Sequence, residues 1–174
     1  MSLRPPEDAT SPAQGADGGA QGAMPERFLI FMLEAQEYGL PLDAVVEVAA
    51  YRRPTPVPGA DEAVEGITPL RGRMLTVIDT RRRLGLGPRA GGGLAKMIVV
   101  REAEELVGLV VDAVIRVAPV AGGECRPIPA ALGLPRRAAY RGMVSREGHC
   151  LLLIDPDALL GGGDSGDAST GGRP

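Results

Sequence analysis

Apolar residues fall in short runs separated by polar, glycine and proline positions. Phe28 to Leu33 is an unbroken apolar run with aromatic and β-branched members, bounded by Arg27 and Glu34. That length and composition predict a strand rather than a helix. Glu34 to Glu37 turns the chain, Tyr38 to Leu42 is the returning strand, and Asp43 to Val46 is read as a brief helical turn capped by Asp43. Thr55-Pro56-Val57-Pro58-Gly59 carries two prolines and so cannot lie mid-sheet; it is an extended connection. Val64 to Leu70, the turn Arg71-Gly72 and Met74 to Ile78 form a hairpin, after which Asp79 caps a short helix ending at Leu84-Gly85. Gly87 to Gly93 is loop. Lys96 to Arg101 then predicts a strand, Leu106 to Val117 a single longer one, and Pro119 to Pro135 an irregular stretch. Tyr140 to Ser145 pairs with His149 to Ile154 as a second hairpin, and Asp155-Pro156 opens a last capped turn.

The pattern occurs twice. Gly39-Leu40-Pro41-Leu42-Asp43-Ala44-Val45-Val46-Glu47-Val48 returns 69 positions later as Gly108-Leu109-Val110-Val111-Asp112-Ala113-Val114-Ile115-Arg116-Val117, with six of ten residues identical. Gly66 to Gly85 returns 76 positions later as Gly142 to Gly161, preserving Gly72/Gly148, Leu75/Leu151, Ile78/Ile154, Asp79/Asp155 and Leu84/Leu160. Two copies are too few for a solenoid. Many short strands and an internal duplication predict an all-β protein of two similar small barrels leaning on each other.

Composition confines this unit to part of the chain. Of 174 residues, 1 to 24 and 161 to 174 are dominated by Gly, Pro, Ser, Ala and Asp, too poor in large apolar groups to offset the entropy of ordering. Both are expected to be disordered tails around a folded unit at 25–160. The net charge of −3 lies wholly in those tails, which leaves the folded unit neutral. A nucleic-acid binder needs a basic excess, and only Arg81-Arg82-Arg83 offers one; these read as the solvated side of a helical turn. No apolar run approaches the roughly 18 residues needed to span a bilayer, and no signal peptide is recognisable, so a soluble cytoplasmic protein is expected.

The usual marks of an enzyme are missing. The one histidine, His149, sits beside a hairpin turn, Cys125 and Cys150 have no metal or redox spacing, and Gly91-Gly92-Gly93 is followed by no phosphate-binding Lys-Ser/Thr. Asp79 and Asp155 occupy matched positions opening helical turns, which favours capping over acid-base work. The sequence therefore predicts no catalytic residues, no metal and no cofactor. A small enzyme or a nucleic-acid-binding β-barrel is the alternative reading.

Several motifs in fixed order carry a resemblance. Phe28-x-Ile30-Phe31, Glu37-Tyr38-Gly39-Leu40-Pro41, Val45-Val46-Glu47-Val48, Thr55-Pro56-Val57-Pro58, Val64-Glu65-Gly66-Ile67-Thr68-Pro69-Leu70-Arg71-Gly72, Val77-Ile78-Asp79 and Val107-Gly108-Leu109-Val110-Val111-Asp112-x-Val114 are similar in order and spacing to the CheW family. The resemblance spans about Phe28 to Leu160. It implies two five-stranded SH3-like β-barrels with a groove between them. It also implies a non-enzymatic adaptor that couples the cytoplasmic tips of methyl-accepting chemotaxis receptors to the regulatory domain of a CheA-type histidine kinase. Carried over by position, it puts Val45, Glu47, Gly66, Arg71 and Val117 at the receptor-facing groove, with Glu47 holding Arg71 through a two-pronged contact. The kinase is expected on Met74, Leu75, Thr76, Val77 and Ile78, with a weaker contact at Tyr140, Met143 and Val144. The protein alone is expected to be a monomer that joins rings or arrays with the kinase, without nucleic acid or membrane insertion. Pro69 stands where the family commonly has Asn, and nothing after Leu160 suggests a receiver or kinase domain.

The compositional boundary gives one prediction. Removing residues 1–22 and 164–174 should leave the thermal midpoint almost unchanged, because those segments hold little that could pack. Differential scanning calorimetry of the trimmed and full chains checks this, and a loss of several degrees would mean that a tail docks.

Overall fold

A computed structural model describes residues 24–87, 89, 94–146 and 148–161; the expected tails, apart from Met24 and Gly161, and Gly91–Gly93 lie outside them. Ten strands are present: β1 (Glu26–Leu33), β2 (Gln36–Pro41), β3 (Val45–Ala50), β4 (Val64–Leu70), β5 (Arg73–Asp79), β6 (Lys96–Glu102), β7 (Glu105–Val111), β8 (Ala113–Val120), β9 (Tyr140–Arg146) and β10 (His149–Ile154). Two short helices, α1 (Thr80–Arg83) and α2 (Pro156–Leu160), follow β5 and β10. The strands form two five-stranded sheets in the orders β8-β1-β2-β10-β9 and β3-β6-β7-β5-β4. The chain is thus mostly β, as its pattern predicts.

The two orders are the same order. Counting β6 to β10 as the repeat of β1 to β5 converts one sheet into the other, with a reciprocal exchange: hairpin β1–β2 lies in the sheet of β8 to β10, and β6–β7 lies in the sheet of β3 to β5. The correspondence extends to irregularities. The register shift between Val45 and Glu47 against β6 recurs in β8 against β1, and that between Val64 and Gly66 recurs where Tyr140 and Gly142 meet β10. Parallel pairs set Leu153 beside Gly39 and Val77 beside Gly108.

The exchange explains the near-continuous apolar runs. Alternate residues of β1 face opposite clusters: Phe28 and Ile30 pack with Val120, Val144, Leu151 and Leu153 within their own sheet. Leu29, Phe31 and Leu33 join Leu40, Ile98, Val100, Leu109 and Ile154 in a cluster shared by both sheets. A strand buried on both faces reads as a solid apolar block. A third cluster, built on Leu75, Val77, Met97, Val99 and Val110, fills the other sheet.

Three local expectations are corrected. Leu106 to Val117 is two strands, because the chain crosses between sheets at Asp112, whose N–H donates to Met32 O (3.1 Å) and whose carboxylate accepts from Glu34 N (2.6 Å). Asp43 caps nothing: the turn there is a 3₁₀ helix, Leu42–Ala44, entered from Pro41 without a side-chain cap. Arg81 and Arg83 are not solvated but only 6 % and 7 % exposed, leaving Arg82 as the exposed member. Arg83 donates from Nε to Leu159 O (2.8 Å) and from Nη2 to Leu160 O (2.5 Å), closing the carbonyl end of α2 from the other half of the chain. By contrast Asp79 and Asp155 act as caps as expected, accepting from Arg81 N (3.0 Å) and Ala158 N (3.1 Å).

Two predictions follow from the packing. At Gly66, φ is +141° and an added Cβ would lie 2.1 Å from Thr55 O, whereas at Gly72 (φ +77°) it would meet nothing within 4 Å. Gly66→Ala should therefore cost about 3 kcal/mol or more, and Gly72→Ala only the left-handed penalty of about 1 kcal/mol, by urea unfolding. Equal losses would show that the Thr55 backbone yields freely. Arg83→Met, which keeps the apolar stem and orphans two buried carbonyls, should cost about 2–4 kcal/mol in the same assay. Arg82→Ala should stay within about 1 kcal/mol, as an exposed position does.

Candidate functional site

The hairpin β4–β5 closes through Arg71 (φ 47°) and Gly72 (φ 77°), both left-handed, the signature of a turn whose twist suits two paired strands. Glycine takes that conformation freely and arginine does not, so Arg71 is held there at a cost of about 1 kcal/mol. Its guanidinium meets Glu47 of β3 edge-on: Nη2 lies 2.9 Å from Oε2, and Nε donates to Oε1 at 3.3 Å. The two-pronged contact expected from sequence is present. It is a surface feature, with the Arg71 side chain 79 % exposed, and a pair in that setting contributes at most about 1 kcal/mol to stability.

β3 is one edge strand of its sheet and β8 one edge of the other. Val45 and Glu47 are half-buried on one side of β3, while Val46 and Val48 stand exposed on the other. Val117 is exposed on β8 beside Ile115. Val46 and Val48 occupy the positions that Ile115 and Val117 fill in the second repeat, so each half presents the same apolar pair on its edge strand. Sequence reasoning named only Val117 of these four; aligning the copies at an offset of 69 would have found the others. The structure thus joins Val45, Glu47 and Arg71 in one sheet and sets Val117 apart on the second. Gly66 serves the backbone: it lets β4 run against Thr55, with which Ile67 exchanges hydrogen bonds of 2.8 and 2.9 Å.

A cleft of about 540 Å³ at the seam between the sheets is lined by Pro41, Ala44 and Val46 and by the charged Asp43, Arg101 and Asp157. A second, of about 630 Å³, opens over Ala118, Val144 and Leu151. Its rim is two ion pairs, Arg116 with Glu37 (Nη1 to Oε1, 2.7 Å) and Arg146 with Glu124 (Nε to Oε1, 2.9 Å), beside His149. The hydrogen bond from Arg116 holds the Glu37 carboxyl below its ordinary range. Charge here is internally neutralised, which suits a protein contact more than the capture of a free ion.

Of the residues expected to meet the kinase, Met74 is 59 % exposed, and Thr76 and Met143 are half-buried. Leu75, Val77, Ile78, Tyr140 and Val144 are buried: their side chains build the core, and they offer a partner no surface. This narrows the hairpin surface to Met74 and its flanks. Among the described residues no group of three His, Cys, Asp or Glu is placed to hold a metal, and no helix is long and apolar enough to cross a membrane. Cys125 and Cys150 are free and half-buried, and burial pushes the Cys150 thiol up.

Comparison with known proteins agrees with this architecture. The family model for the CheW-like domain matches residues 27–163. The chemotaxis protein CheW of Rhizobium meliloti is 30 % identical over 132 residues, covering 76 % of this chain and 85 % of that protein. That of Bacillus subtilis is 28 % identical over 135 residues, covering 78 % and 86 %. The crystal structure of the scaffolding protein TtCheW from Thermoanaerobacter tengcongensis superposes with a TM-score of 0.70 at 30 % identity, over 81 % of this chain and 91 % of that one. The duplicated, hairpin-exchanged chain with its exposed edge strands belongs to the CheW-like family of chemotaxis scaffold proteins.

Proposed function

We propose that this protein couples the cytoplasmic tip of a methyl-accepting chemoreceptor to the regulatory domain of a CheA-type histidine kinase. The receptor meets the face carrying Glu47 and Arg71. Val45 and Gly66 shape that face, and Val117 belongs to its second half. The kinase docks on the β4–β5 hairpin through Met74, with a weaker contact on β9 near Met143. Alone the protein is a monomer in the cytoplasm; with the kinase it enters rings or arrays at receptor clusters, since heterologous contacts close when the rotation permits.

One observation carries this reading. Arg71 is an exposed arginine held in a left-handed turn and pinned by Glu47, which adds little to stability and much to the definition of a surface. Membership of a family of chemotaxis scaffolds supports the coupling role. The two ion-paired arginines on the larger cleft and the net charge of −3 give a nucleic acid little to hold.

The test is receptor-stimulated kinase activity in a reconstituted mixture. Arg71→Glu and Glu47→Arg should each lower coupling while thermal stability shifts by less than about 1 kcal/mol, and the double swap should restore part of the activity. Wild-type coupling by both single variants would remove the pair from the receptor face. Failure of the wild-type chain to bind either the kinase domain or the receptor would remove the adaptor reading itself.

A further inference from the structure

Arg81 is buried, yet its contacts within the protein leave one of its donors over. Its side chain is 7 % exposed and makes an ion pair through Nη2 with Glu34, yet its Nε–H has no acceptor. A buried guanidinium N–H left without a protein acceptor is costly, so a water, an ion or a further partner is called for there. Beside it is a small cavity of about 300 Å³, walled by Leu33, Ala35 and Leu86 and completed by Glu34, Gln36, Tyr38 and Arg81. Burial first, then the neighbouring Tyr140, pushes the Tyr38 phenol up to about 12, so its hydroxyl remains a donor throughout the physiological range. Arg81 and Tyr38 thus put N–H and O–H donors among the residues lining a cavity with apolar walls, and it is too small for a nucleotide.

Glu34 is a replaceable lid. It touches the guanidinium at one nitrogen only, its side chain is 66 % exposed, and it sits at φ 56° in the β1–β2 turn with its N–H tied to Asp112. The Nε and Nη2 edge of a guanidinium matches the two oxygens of a carboxylate, an arrangement stronger than the single contact now present. Exchange of one carboxylate for another also keeps the buried site neutral. We propose that Arg81 anchors a carboxylate socket, in which an incoming carboxylate takes both edge N–H groups and displaces Glu34 into solvent. The ligand is a small carboxylic acid, either free or as an acidic side chain, with room beyond it for a few carbon atoms. This assignment is independent of the receptor-coupling role.

The test is observation of the Arg81 Nε–H by ¹H–¹⁵N NMR in the full chain, titrated with sodium acetate, sodium succinate and N-acetyl-glutamate amide against sodium chloride at equal ionic strength. The signal should move with each carboxylate and not with chloride. Glu34→Gln, which removes the competing charge, should tighten binding about tenfold. Arg81→Lys keeps the charge without the fork and should abolish the response read at neighbouring backbone amides. Should that variant not fold, Ala35→Phe, which fills the mouth, should abolish the response with Arg81 in place. Tighter binding of the blocked glutamate than of acetate identifies a protein-borne acid, and equal binding a free one. No response in either the wild type or Glu34→Gln, an equal response to chloride, or an undiminished response after Ala35→Phe would each overturn the proposal.

Discussion

Everything in this fold depends on the apolar cluster that the two sheets share. Leu29, Phe31 and Leu33 of β1 and Ile98, Val100 and Leu109 of β6 and β7 meet there, and they do so because each half of the chain lends its first hairpin to the other sheet. Neither half can be complete by itself. A sheet that lost its borrowed hairpin would lose its central strands and expose both faces of the remainder, so the halves must fold as one cooperative unit. The exchange also fixes where the edge strands fall. β3 and β8 are each left with a single neighbour, and the exposed valine and isoleucine pairs on them are a by-product of that topology.

The polar groups at the seam follow the same logic. A chain that crosses between sheets must end strands where no sheet partner is available, and the freed backbone groups need side chains. Asp112 serves the β1–β2 turn from the crossing point, and Arg83 serves the end of α2 from the opposite half. The Arg83 contact is specific to one half: the position matching Arg83 in the second repeat is Leu159, whose carbonyl Arg83 binds. The pseudo-symmetry is therefore a property of the backbone, and the side chains have diverged to make the two faces different. Glu47 in one repeat is Arg116 in the other, the first reaching across to a hairpin tip and the second across β1 to Glu37 of β2.

The amino-acid sequence by itself determined most of the strands, the hairpins β4–β5 and β9–β10, the two aspartate caps and the duplication, because these rest on local periodicity, turn chemistry and residue identity; it missed β3, whose first residues read as a helical turn. It also made the Glu47–Arg71 pair legible through the family resemblance, since a charged residue on a strand and another at a hairpin tip are recognisable types. What it did not contain was which sheet each strand joins. Leu106 to Val117 reads as one strand because nothing in its apolar pattern marks the crossing at Asp112, and the exchange of hairpins leaves no local trace. The burial of Arg81 and Arg83 was hidden for the same reason: three consecutive arginines look solvated until the exchanged β1–β2 hairpin is laid against Arg81 and the end of α2 against Arg83. Only the tertiary structure decided that Leu75, Val77 and Val144 are core rather than contact surface, and that Val46 and Ile115 are exposed. Facing direction depends on what lies across the strand, and here that neighbour comes from the other half of the chain.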